Sequence, residues 1–155
     1  MSPITFSCEE PLPATPADIA RNILDLSRWS EFTGYGVIPG IKSAVFDRRT
    51  DDIIGTRIRV TSTDNSSYIE EITEWEPTRI TIEMKELSAA LAALATKIIE
   101  RWELEPADGH TKVTRTFQLY AKSFLTKIPL HLIAVALKKA VSMHLQQLKQ
   151  QGVKV

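Results

Sequence analysis

Apolar and polar residues alternate with a period of two through most of the chain as far as Tyr120, and a helical period of about 3.6 replaces it from Thr126 to Gln151. Alternation of this kind marks strands with one face buried and the other in water. Ile4, Phe6 and Cys8 make the first such run, which the proline-rich turn from Pro11 to Pro16 is expected to end. Ile41 to Arg49, Gly55 to Ser62, Tyr68 to Trp75 and Arg79 to Leu87 follow, separated by turn residues at Asp51-Asp52, Asp64-Asn65 and Glu76-Pro77-Thr78. Ile98 to Glu105 and Lys112 to Tyr120 complete the set as a hairpin around Pro106-Ala107-Asp108-Gly109, giving seven antiparallel strands.

Two short helices are expected after the first strand. Thr15 caps the first, Pro16 takes its opening position, and Ile19, Ile23, Leu24 and Leu26 form its buried stripe up to Ser27. Trp29 and Phe32 belong to the second. Gly34 to Gly40, which includes Tyr35, holds three glycines and a proline in seven positions and reads as a flexible loop. Leu87 to Thr96 is alanine-rich between strands, which suits a short helix or a mobile flap.

The terminal helix tolerates Pro129 because it falls in the first turn. At about 100° per residue, Leu130, Ile133, Leu137, Val141, His144, Leu145 and Leu148 share one face, with Lys139, Gln146 and Gln150 opposite. Leu132, Val135 and Met143 fall on the polar side. A second chain in a homodimer, the Leu87 to Thr96 flap or a bound ligand would each cover them; the alternative is scattered exposed apolar residues.

At 155 residues the chain reads as one domain over 1–155, large enough to bury roughly two thirds of its unfolded surface without disulfides or metal. Equal numbers of basic and acidic residues leave no chain-wide field, which argues against nucleic acid as a partner. The single cysteine, Cys8, has no internal partner, as a reducing compartment permits, so a cytoplasmic location is expected. Met1 to Pro16 carries acids and four prolines where a secretory signal would be basic and then apolar. Phe124 to Leu137 is interrupted by Lys127, Pro129 and His131 and followed by Lys138 and Lys139, so no membrane span of roughly 20 apolar residues is expected.

This element order resembles the α+β helix-grip fold of the START-like, or SRPBCC, superfamily: a curved seven-stranded antiparallel sheet around a long C-terminal helix. Ile38-Pro39-Gly40-Ile41, Glu70-Glu71-Ile72-Thr73-Glu74-Trp75-Glu76-Pro77, Glu100-Arg101-Trp102-Glu103-Leu104 and Thr111-Lys112-Val113-Thr114-Arg115-Thr116-Phe117 are similar to segments of its polyketide cyclase/dehydrase branch. The likeness runs from Phe6 to about Leu148. It implies a cavity under the terminal helix for an apolar small molecule such as a lipid, a steroid or a polyketide-like compound, and it implies no cofactor. Binding without chemistry, cyclase or dehydratase activity, and service as a protein-interaction module all occur in the superfamily.

Strand parity then names the cavity wall. Ile58, Val60, Trp75, Ile82 and Met84 are expected to face inward, as are Ile98, Trp102 and Phe117, with Ile133, Leu137 and Val141 opposite on the helix. A hairpin turning at Asp64-Asn65 would place Glu71 inward and pair Arg59 with Glu70 outside. A four-residue loop from Pro106 to Gly109 would set Glu100 opposite Arg115.

Glu71, Glu100 and Arg115 are thus the inward ionisable groups. Arg115 and Glu100 form a structural ion pair, or Arg115 holds a ligand carbonyl or carboxylate while a desolvated Glu71 or Glu100 moves a proton. Arg115 or Tyr68 could also stabilise a carbonyl in enolate chemistry. His144 reaches the same space as a base, or serves as a core histidine. No metal site is expected: His131 lies thirteen residues before His144, about 140° around the helix, and no Cys pair or calcium loop is present. Gly34, Gly36 and Gly40 lack the spacing and the following helix of a dinucleotide loop.

Overall fold

The computed structural model describes residues 1–153. The chain runs β1 (Ile4–Leu12), α1 (Pro16–Leu24), a 3-10 helix (Leu26–Glu31), β2 (Ile41–Arg48), β3 (Arg57–Ser62), β4 (Ser67–Glu76), β5 (Arg79–Lys85), α2 (Ala89–Leu94), β6 (Ala95–Ala107), β7 (His110–Ala121) and α3 (Lys127–Gln151). All seven strands form one antiparallel sheet in the order β1-β7-β6-β5-β4-β3-β2. The two short helical segments carry the chain from one sheet edge, β1, to the other, β2. From there a meander returns to β7 beside β1. This is the helix-grip architecture of START-like proteins.

Local chemistry sets the helix boundaries. The Thr15 hydroxyl accepts from the Asp18 amide at 3.1 Å while the Asp18 carboxylate accepts from the Thr15 amide at 3.4 Å, which closes a reciprocal cap around Pro16. The α-helix stops at Leu24 and not at Ser27, because the Asp25 carboxylate accepts from the Ser27 amide and starts the tighter helix that follows. Trp29 then donates its indole N–H to the Ile23 carbonyl at 2.9 Å, fixing the two segments to each other.

Pro11 does not end β1. The strand continues to Leu12 with Pro11 opposite Lys112, a placement tolerated because β1 is an edge strand with no second neighbour to receive an amide.

The β3–β4 register differs from the expected one by a single residue. Thr61 pairs with Ser67 around a five-residue connection in which Asn65 takes a left-handed conformation (φ 68°), so Ile58 stands opposite Glu70 and Val60 opposite Tyr68. Glu70 therefore points to the concave face. Glu71 points to the convex face, where it receives Arg57 at 3.2 Å and Lys85 at 2.9 Å, and Arg59 stands opposite Ile69. A bulge between Ile72 and Glu74 then reverses the parity again and returns Trp75 to the concave side opposite Ile80.

The β6–β7 hairpin is also tighter than expected. Ala107 pairs with His110, so Trp102 stands opposite Arg115 and Glu100 opposite Phe117. A shift of two residues leaves every side chain on its expected face.

α3 lies across the concave side. Leu130, Val141, Leu145 and Leu148 of the expected gripping face are buried, joined by Ala134 and Ala140, while Ile133 and Leu137 are only partly buried. The helix packs mostly on β1 and more lightly on β7. By length and composition alone α3 is long and apolar enough to cross a membrane, contrary to the expectation from its interruptions, but here it is the helix that closes the sheet. Leu132, Val135 and Met143 are exposed. Each fully buried side chain of the core, such as Phe117, Leu104 or Leu145, stabilises the fold by roughly 1.5–3 kcal/mol.

Candidate functional site

A cavity of about 260 Å³ lies between the concave sheet and α3. Ile82, Met84, Ile98, Trp102 and Phe117 line it from the strands, and Ile133, Leu137 and Val141 from the helix. α2 contributes Leu91 and Leu94, and the 3-10 helix and the loop after it contribute Trp29, Phe32 and Ile38. Gly34 makes that loop possible: it sits at φ 79°, where a side chain would collide with the Ile38 carbonyl.

Ile58, Val60 and Trp75 do not line the cavity. Ile58 and Val60 are fully buried at the end of the sheet where the 3-10 helix packs on the neighbouring β2, so that part of the concave surface is solid core. Trp75 lies beyond the β4 bulge and packs partly buried against the same core.

The polar residues of the cavity gather around Arg115. Its Nε and Nη2 both donate to Oε2 of Glu100 at 2.6 Å, and its Nη1 donates to Nδ1 of His144 at 3.0 Å. The guanidinium lies 4.2 Å from the Trp102 ring centre, and the Phe32 ring meets His144 edge-on at 5.8 Å. Cross-strand geometry explains the assembly: Trp102 and Arg115 are direct partners, and Glu100 is one diagonal away on the same face.

Burial and these contacts order the protonation states. Loss of solvent, reinforced by the Arg115 and Arg28 charges, lowers His144 to about 3, so its imidazole is neutral. A guanidinium can only donate, so Nδ1 is the acceptor and the ring proton resides on Nε2. Burial raises Glu100, and Arg115 pulls it back toward the charged form. Glu70 forms no ion pair among the described residues, and the Arg115 charge offsets only part of its shift. Burial and then the Glu100 charge raise it to about 8, which leaves it largely protonated at neutral pH. Tyr68, beside it on β4, is raised well above its ordinary value by burial and the two carboxylates.

Among the described residues, Asn22 Nδ2, Arg28 Nη1 and Trp102 Nε1 are buried N–H groups without a hydrogen-bond partner, and all three residues border the cavity. Arg28 already holds Glu31 through Nε and Nη2 at 3.1 Å, so only its third nitrogen is open. The Trp102 indole N–H is near enough to Glu100 to favour its carboxylate, yet does not meet the geometry of a hydrogen bond.

Residues 3–152 match the family described as polyketide cyclase/dehydrase and lipid transport. The chain belongs to this family. Among solved structures that share the fold, a START superfamily protein from Mycobacterium smegmatis is 16% identical with a TM-score of 0.63, covering 93% of this chain and 98% of its own. The di-domain ARO/CYC BexL from the BE-7585A biosynthetic pathway is 14% identical with a TM-score of 0.71; the match covers 98% of this chain and 50% of BexL. Norcoclaurine synthase from Thalictrum flavum, solved with dopamine and hydroxybenzaldehyde, is 14% identical with a TM-score of 0.67 and covers 99% and 91% of the two chains. No curated protein is matched by the sequence.

In this polyketide cyclase/dehydrase family member, then, Glu100, Arg115 and His144 come together at the cavity, and Glu71 does not. Glu70, Asn22 and Arg28 were not among the expected site residues. The clue to Glu70 was the charge arrangement around its neighbour, since a convex Glu71 finds Arg57 and Lys85 on the two adjoining strands. Asn22 and Arg28 sit on helices whose approach to the cavity is set by tertiary packing, which strand parity does not describe. Among the described residues no His, Cys, Asp and Glu side chains cluster as a metal site would require. The Cys8 thiol is buried, contacts the Lys138 carbonyl at 3.5 Å and is raised by that burial, which makes it a poor nucleophile.

Proposed function

We propose that the protein binds one apolar small molecule in this cavity, with an oxygen of that molecule turned toward Asn22, Arg28 and Trp102. The observation that carries this is that three unpartnered buried N–H groups belong to residues bordering one largely apolar hollow. Each such group costs about 1–3 kcal/mol when left unpaired, so an acceptor oxygen placed among them is favoured by the relief of that cost. Protonated Glu70, Tyr68 and Nε2 of His144 add further donors. The ligand is accordingly an oxygenated apolar compound, of lipid, steroid or polyketide type, and the family description supports the lipid and polyketide part of that range.

Acid–base catalysis of the cyclase or dehydratase kind is the second reading, favoured by Glu70. A carboxyl group that titrates near neutral pH beside an apolar cavity can give or take a proton with little penalty. Arg115 would then fix the neutral state of His144 and the charge of Glu100.

Native mass spectrometry of gently purified protein tests the binding reading. A retained compound released on denaturation, with carbonyl or carboxyl oxygen on an apolar skeleton, is the expected result. Protein that carries nothing and binds no oxygenated apolar probe contradicts it. Catalysis is distinguished by Glu70→Gln, which should leave ligand binding within about twofold while abolishing turnover.

A further inference from the structure

Five large apolar side chains stand in solvent at the start of α3: Phe124 (79% exposed), Leu125 (84%), Ile128 (76%), Leu132 (70%) and Val135 (71%). Ile128, Leu132 and Val135 are spaced four and three residues apart and form one outward stripe, with Phe124 and Leu125 in the turn that enters the helix. Single exposed apolar residues are ordinary. A contiguous row of this size marks a contact surface.

Charge indicates what the surface contacts. All nineteen Asp and Glu residues precede Gly109, so the segment that forms β7 and α3 carries basic side chains and no carboxylate. Lys127 and Lys138 flank the apolar stripe on its β1 side, and Lys122 lies in the segment before it, where its ammonium donates to the Ala92 carbonyl at 3.5 Å. The lysines that do form ion pairs in the described residues are Lys85, Lys112 and Lys149, all elsewhere. Lys139 continues the line of the stripe one turn beyond Val135, and Lys127 and Lys138 edge a shallow groove between α3 and β1. An isologous pairing with a second copy would bring these lysines together with no acid on the same face to answer them. An apolar row bordered by lysines along one side and at its far end is instead complementary to a surface that is apolar inside and anionic outside.

We propose that this face of α3 docks on an anionic lipid bilayer, with the apolar row entering the headgroup region and the lysines meeting lipid phosphates. The helix lies along the surface and stays in place over the sheet, because its opposite face is buried there. The docked end adjoins α2: the Lys122 amide donates to the Leu94 carbonyl at 2.8 Å, and Leu91 and Leu94 border the cavity. The docking inference does not depend on what the cavity holds.

Flotation with phosphatidylcholine vesicles, with and without phosphatidylglycerol, tests it. The full chain should bind the anionic vesicles at least about tenfold more tightly than the neutral ones, and added salt should release it. Ile128→Ser with Leu132→Ser, and separately Lys127→Glu with Lys138→Glu, should each reduce binding by about tenfold or more while the thermal melting curve stays that of the parent. Absence of binding to anionic vesicles, or equal binding by parent and variants, overturns the proposal. So does a dimer in light scattering that Ile128→Ser with Leu132→Ser converts to monomer, since a second copy would then cover the face.

Discussion

Arg115 donates to Nδ1 of His144 across 3.0 Å, and that contact fixes the imidazole as the neutral Nε2–H tautomer. A second proton would place a cation against a guanidinium in a buried site. Nitrogen chemical shifts of His144 should therefore report a protonated Nε2 and a bare Nδ1, with no titration between pH 8 and 5, because its pKa lies at about 3. A midpoint near the ordinary histidine value would contradict the contact.

Removing the guanidinium leaves Glu100 buried without its counter-ion. Arg115→Met is expected to cost about 3–5 kcal/mol in urea unfolding, and adding Glu100→Gln should recover much of that loss. A penalty unchanged by the second substitution would show that Arg115 acts through packing on Trp102 alone.

Glu70 gives a pH dependence of definite sign. Its pKa rises from 4.5 in the unfolded chain to about 8 in the fold, so between these values the folded state holds a proton that the unfolded state has lost. Stability from this group is full below pH 4.5 and declines as pH rises toward about 8. Glu70→Gln should remove the decline: its stability relative to the parent should grow by up to ~1.4 kcal/mol per pH unit across that window. Parallel stability curves for parent and variant would exclude a protonated Glu70.

Glu71 is the internal control. It is partly exposed and held by Arg57 and Lys85 on the convex face, so Glu71→Gln should cost no more than ~1 kcal/mol and leave ligand affinity unchanged. A large loss of binding would place Glu71, and hence the β4 register, on the other side of the sheet.

Trp102→Phe separates the indole N–H from the aromatic surface. Affinity for an oxygen-bearing probe such as 2-naphthoate should fall by about 1 kcal/mol in calorimetry, while affinity for naphthalene should stay nearly constant. Equal losses for both probes would assign Trp102 a packing role only.

The sequence pattern made the sheet, the terminal helix and much of the apolar lining readable, because period-two and helical periodicities report directly on burial. Two single-residue events escaped it. The extra residue in the turn around Asn65 inverted β4 and exchanged Glu71 for Glu70, and the bulge before Glu74 inverted it back for Trp75. The two-residue shortening at Asp108-Gly109 was harmless to Glu100 and Arg115, since an even shift preserves parity. Arg28 and Asn22 were illegible for another reason: nothing in a nine-residue helix and a six-residue 3-10 successor reveals which part of the sheet they will face.

The hollow between sheet and helix is tested most directly by filling it from the helix side. Leu137 borders the cavity and is only partly buried, so Leu137→Trp should occupy the space without displacing the core beneath it. In a fluorescence titration with 1-anilinonaphthalene-8-sulfonate, the parent should show one saturable site per chain, and the folded Leu137→Trp variant should bind at least about tenfold more weakly. Equal, saturable binding by both proteins would mean that the probe, and by extension the ligand, sits somewhere other than under α3.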